Sequence, residues 1–128
     1  MNVLTTEWVS RTDRDFDTAH VVMAPTRNEP FPDIACFHCQ QCAEKYLKAF
    51  LIEHRIRFAR SHNLIDQLEL CKKLDPEFKT IEGDLRELEG YAVRARYPGI
   101  EVAYDMGAAA LPAASLVRDF IRGKPETD

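Results

Sequence analysis

The chain has no run of apolar residues approaching the roughly 18 that a membrane-spanning helix needs. Its start, Met1-Asn2-Val3-Leu4-Thr5-Thr6-Glu7-Trp8, lacks the basic and apolar segments of a secretory signal. Both absences point to the cytoplasm. There is no internal repeat, no low-complexity block and no sustained alternation of apolar and polar residues, which excludes solenoids and a strand-built core. The net charge of −4 excludes general attraction to nucleic acid, so any such contact must come from a local basic patch. Also missing are a Gly-rich phosphate loop, a nucleophile elbow, a His-Glu-x-x-His pair and a paired-carboxylate constellation.

What is present is an ordinary globular composition, 45% hydrophobic and 30% charged over 128 residues. That length suits one domain, residues 1–128, which can bury a core without metal or disulfide. Four cysteines in the cytoplasm are expected to be reduced.

Apolar residues recur at three- and four-residue steps throughout, which predicts an all-α bundle of five helices. The first runs from about Leu4 to Met23, with Val9, Thr12, Phe16, Ala19 and Met23 inward and Trp8 beside them. Pro25, Pro30 and Pro32 break it. The second spans about Asp33, as N-cap, to His54, with Cys36, Cys39, Ala43, Tyr46 or Leu47, and Phe50 inward. The third covers about His62 to Leu74, capped by Ser61, with Leu64, Leu68 and Cys71 inward. Asp75 as cap and Pro76 as first residue then start the fourth, which carries Phe78, Ile81, Leu85, Leu88, Ala92 and Ala95. Tyr97-Pro98-Gly99 marks its turn. The last runs from about Asp105 to Arg122, with Met106, Ala109, Ala113, Leu116 or Val117, and Phe120 inward and a kink expected near Pro112.

Cys36, Cys39 and Cys42 imitate a metal-binding spacing. On a helix at about 100° per residue, Cys36 and Cys42 lie roughly 120° apart, so three thiolates do not converge. There is also no Gly or Pro to make the turn of a metal knuckle. The expectation is three small buried side chains, no metal and no cofactor.

His38, Gln41, Lys45 and Lys48 make a polar ridge on the second helix, with Glu44 adjacent. A solvated face is the plain alternative. The second helix is the most hydrophobic and should be central, however, and polar groups there must be paired or face a cavity or partner. Arg94-Ala95-Arg96-Tyr97-Pro98-Gly99 ends the fourth helix. Arginines there complement the helix dipole. They also offer guanidinium forks beside an aromatic ring, which suits a phosphate and a base. Arg57, Arg60 and His62 form a second cationic group.

The string Phe37-His38-x-Gln40-Gln41-x-Ala43-Glu44-Lys45-x-Leu47-Lys48-Ala49 resembles the signature helix of HEPN domains, the higher eukaryotes and prokaryotes nucleotide-binding family. Ser61-His62-Asn63-Leu64 and Arg96-Tyr97-Pro98 are similar to two further stretches of that family, in the same order. The resemblance covers Trp8 to about Ile121. It implies a five-helix up-and-down bundle that homodimerises. It also implies a minimal nucleotidyltransferase as partner, often in a toxin–antitoxin pair. Some relatives are metal-independent ribonucleases with an Arg-x4-6-His motif after the fourth helix. Here Arg96 matches the arginine, Glu101 stands five residues later, and no histidine follows. The Arg57-to-His62 match lies in a different loop and does not transfer.

The leading expectation is therefore a non-catalytic module that binds a nucleotide or RNA phosphate and a nucleotidyltransferase. Its cleft would be lined by His38, Gln41, Lys45, Lys48, His62, Arg94, Arg96 and Tyr97. One alternative is a ribonuclease toxin that pairs Arg96 with His62 or Glu101. Another is a dimerising scaffold without ligand.

Overall fold

The computed structural model describes residues 3–24, 29–61, 63–97, 99 and 101–124, apart from the side chains of Val3, Leu4 and Arg96. Among them are five α-helices and no strand: α1 Val3–Val22, α2 Pro32–Glu53, α3 Leu64–Leu74, α4 Glu82–Arg96 and α5 Tyr104–Arg122. None is long and apolar enough to cross a membrane.

The inward stripes of α1 to α3 are the expected ones, as is that of the fourth segment except that Ala95 is only partly buried. Val9, Thr12, Phe16 and Ala19 of α1 and Met23 just after it are buried, as are Cys36, Cys39, Ala43, Tyr46, Leu47 and Phe50 of α2. Helix α2 is central and packs against all four others. Trp8 lies by Lys45 and Asp15 by His38, so α1 and α2 run antiparallel. Phe50 meets Phe78 at a tilt with ring centroids 4.5 Å apart, and Phe78 meets Phe120 edge-on at 4.9 Å, so one aromatic cluster closes the end of the bundle where α2 and α5 finish.

Helix starts differ from expectation in three places. Phe31 occupies the N-cap of α2 with no side-chain bond, and Pro32 is the first helical residue. Asp33 sits inside the first turn, where its charge complements the exposed N–H groups. Asn63, not Ser61, caps α3, accepting from Ile65 N at 2.8 Å. Ser61 instead accepts from Asn63 N and donates to Asp66. The expected start at His62 lies outside the described residues. Asp75 does cap the next segment, accepting from Glu77 N at 3.0 Å, but Pro76–Ile81 is a 3-10 turn ahead of α4. Three-residue periodicity there puts Phe78 and Ile81 on one face, and both are buried.

Helix α2 ends in a Schellman motif. Arg55 takes a left-handed φ of 58° while Ile56 N reaches Leu51 O at 2.8 Å and Arg55 N reaches Ile52 O at 3.1 Å.

The inward face of α5 is the expected one at Ala113 and Val117 and is corrected elsewhere. Gly107, Ala110, Ala113, Ala114, Val117 and Ile121 are buried, whereas Leu116 is 55% exposed and Met106, Ala109 and Phe120 sit at the margin. A Cβ on Gly107 would lie 2.8 Å from Pro32 Cα, so α5 approaches the start of α2 too closely for larger side chains. The helix continues through Pro112, which is exposed.

Candidate functional site

Two aspartates of α1 organise the polar face of α2. Asp15 falls three residues after buried Thr12 and seven after Trp8, so it stands on the inner side of α1. Its Oδ2 lies 2.6 Å from Lys45 Nζ and its Oδ1 lies 3.2 Å from His38 Nδ1. His38 and Lys45 are two turns apart on α2, and one carboxylate spans them. Trp8 Nε1 donates to the Lys45 carbonyl at 2.7 Å, fixing the same register.

Asp13 does the corresponding work toward α5. It accepts from the buried Tyr46 hydroxyl and pairs with Arg122. Burial pushes the Tyr46 phenol far above its ordinary range, and the bond to Asp13 adds to this. Three helices are thereby joined by a polar layer beside the apolar core.

The rest of the ridge turns to its own helix. Lys48 Nζ lies 3.0 Å from Glu44, which is 2% exposed, and 5.7 Å from the Phe58 ring centroid. Gln41 donates to Gln40 at 3.1 Å.

At the C-terminal end of α4, Arg94 is exposed and its Nη1 donates weakly to Met106 Sδ at 3.8 Å. Tyr97 is 59% exposed. Gly99 carries a φ of 86° in the following turn, a conformation that favours glycine. Arg96 closes the helix, but its side chain lies outside the described residues, as do His62 and Pro98 altogether.

Of the eight expected site residues, His38 and Lys45 are thus brought together on Asp15. Lys48 and Gln41 meet neighbours on α2. Arg94 borders α5 through Met106, and Tyr97 is exposed. Sequence reasoning missed Asp13 and Asp15. The available signal was a carboxylate at an inward position of α1, which needs a cationic partner.

All four cysteines are buried and unpaired. Burial pushes Cys36 up to about 11 and Cys39 and Cys71 each up to about 12, and it drives Cys42 upward as well. At neutral pH these are protonated thiols, poor as nucleophiles and as ligands. Among the described residues, no three His, Cys, Asp or Glu side chains are gathered to hold a metal ion.

A model of the HEPN domain matches residues 5–124. The chain belongs to the HEPN domain family. A protein of Methanocaldococcus jannaschii named "Putative toxin MJ1304" is 28% identical over 97 residues, covering 71% of this chain. That match spans 61% of the relative's own length. The crystal structure of an archaeal HEPN homologue superposes with a TM-score of 0.70 at 21% identity, covering 96% of this chain and 98% of the other. This HEPN chain thus shares the five-helix fold of that homologue.

Proposed function

We propose that this HEPN chain is the non-catalytic member of a toxin–antitoxin type pair in the cytoplasm. It binds a nucleotide or RNA phosphate, docks a minimal nucleotidyltransferase and forms a homodimer. Family membership supports the general reading. The end of α4 carries the specific one. Arg94 has no ion pair among the described residues, and an exposed Tyr97 ring stands three residues on. A guanidinium with an aromatic neighbour suits a phosphate carrying a base. His38 and Lys45 share a face of α2, where both are held by Asp15 of α1. Exposed Ile34, Phe37 and Val93 supply apolar surface for a second copy.

The test is titration of a fluorescent single-stranded RNA against the parent and the Arg94→Ala/Arg96→Ala variant. The reading expects at least a tenfold loss, about 1.4 kcal/mol, with unchanged helical circular dichroism. Equal binding by a variant that melts several degrees lower would mean that these residues are structural. Shortening of the RNA during the titration would favour the ribonuclease reading instead. Light scattering at a mass near 14.7 kDa would remove the homodimer.

A further inference from the structure

The connection after α2 and the outer side of α3 enclose an open cleft of about 420 Å³, within the usual range for small-molecule sites. Its charges are of both signs. Asp66, Glu69 and Lys73 come from α3, and Arg57 comes from the connection. Glu69 lies 3.2 Å from Lys72 Nζ, so its charge is met outside the lining. Asp66 accepts from Ser61 Oγ at 3.0 Å, a neutral donor that leaves its charge unbalanced. Arg57 and Lys73 have no ion pair or hydrogen bond among the described residues. The cleft is therefore dipolar rather than basic. Asp66 stands in the first turn of α3 and Lys73 in the last, about 10 Å apart at a rise of about 1.5 Å per residue. Phe58 and Leu70 supply the apolar lining, and Leu70 falls between the two charged positions of α3.

Gln67 adds a second, independent feature at the acidic end. It lines the cleft, is 1% exposed, and its Nε2 donates to the Ser61 carbonyl at 2.9 Å, which fixes the orientation of the amide. Its Oε1 then has no hydrogen-bond partner among the described residues. A buried acceptor without a donor is rare in a folded protein and asks for an explanation. A carboxylate and an amide oxygen, both on side chains tied to Ser61, suit an ammonium group, which has three donors and no acceptor.

We propose that this cleft binds a short peptide with free termini, about three residues long and apolar in the middle. Its ammonium goes to Asp66 and Gln67 Oε1, its carboxylate to Lys73 and Arg57, and its central side chain lies against Phe58 and Leu70. An extended chain rises about 3.3 Å per residue, so three residues match the spacing of the two charged ends. A carboxylate is held by guanidinium and ammonium groups through charge-assisted bonds. A single amino acid carries its ammonium and carboxylate on one carbon and is too short to meet both ends. A simple anion would leave Asp66 and Gln67 unanswered. The site is separate from the end of α4 and does not rest on the function proposed there.

The experiment is calorimetric titration of the full chain at neutral pH and low salt with alanyl-leucyl-alanine, its N-acetylated form, its C-terminal amide and free leucine. The unblocked tripeptide is expected to bind, and each of the other three to bind about tenfold more weakly or less. Asp66→Asn keeps an oxygen that can accept from Ser61 and removes the charge. It should weaken the unblocked peptide about tenfold and leave the N-acetylated form unchanged. Lys73→Ala should weaken the unblocked peptide likewise and leave the amide unchanged. Both side chains are exposed, so the melting temperature should hold in either variant. No heat with the millimolar unblocked tripeptide, or equal affinity for it in both variants, overturns the proposal. A blocked peptide that binds as tightly as the unblocked one overturns the role of the free termini and with it the ligand class.

Discussion

Lys45 and Asp15 meet at 2.6 Å across the α1–α2 interface, and the second oxygen of the same carboxylate is held by His38. One side chain of α1 thereby aligns two turns of the central helix. Asp15 is 18% exposed, so neither partner is freely solvated. Asp15→Ala should lower stability by about 1–2 kcal/mol, because it leaves a partly buried ammonium without its acceptor. Urea unfolding followed by circular dichroism measures this. An unchanged midpoint would show the pair to be dispensable.

Gly107 tests the close approach of α5. Alanine is the better helix former by about 1 kcal/mol, so propensity alone predicts stabilisation. The Cβ would lie 2.8 Å from Pro32 backbone and 3.0 Å from Met23 Sδ. Gly107→Ala should therefore destabilise by about 1–3 kcal/mol. A raised melting temperature would mean that the two helices can separate without loss.

Asp75 gives a pH dependence. Its carboxylate is 2.7 Å from Lys124 Nζ, and that bond, with the one from Glu77 N, holds it below its ordinary value of 3.8. A carboxylate lowered on folding stabilises above its unfolded value, and that contribution disappears as pH falls through the folded one. Asp75→Asn keeps the capping oxygen and removes the charge. The variant should be less stable than the parent by about 0.5–1 kcal/mol at neutral pH. The gap should close below about pH 4, and a gap constant from pH 7 to pH 3 would rule this out.

The cysteines predict a chemical readout. With all four thiols buried and pushed upward by desolvation, the native protein should react only slowly with a thiol reagent at pH 8. Four equivalents should react promptly in denaturant. Rapid native labelling at Cys36 or Cys39 would show that α2 opens locally.

Much of the fold is legible because burial in α1 to α4 follows a simple period. Val9 to Met23 and Leu64 to Cys71 are large or medium apolar groups with charged neighbours, so the inward stripe stands out. In α5 it does not. Alanine is common there, and Leu116 looks more like a core residue than Ala110, yet Leu116 is exposed and Ala110 is buried. When helices come close, small side chains gain the interior, and hydrophobicity then ranks residues wrongly. The polar ridge of α2 was likewise visible as a spacing, but its partners were not. Asp13 and Asp15 lie at least 23 residues away in the chain, and a local pattern carries no information about which helix will face it.

By itself the sequence determined the five α-helices, the central place of α2, the capping Asp75 and the HEPN signature. These depend on periodicity and on short-range chemistry that each segment carries alone. Tertiary structure decided that Asp15 spans His38 and Lys45 and that Gly107 meets Pro32. Each of those depends on how two elements sit against each other. That is set by the total packing of side chains from several helices rather than by any one stretch of chain.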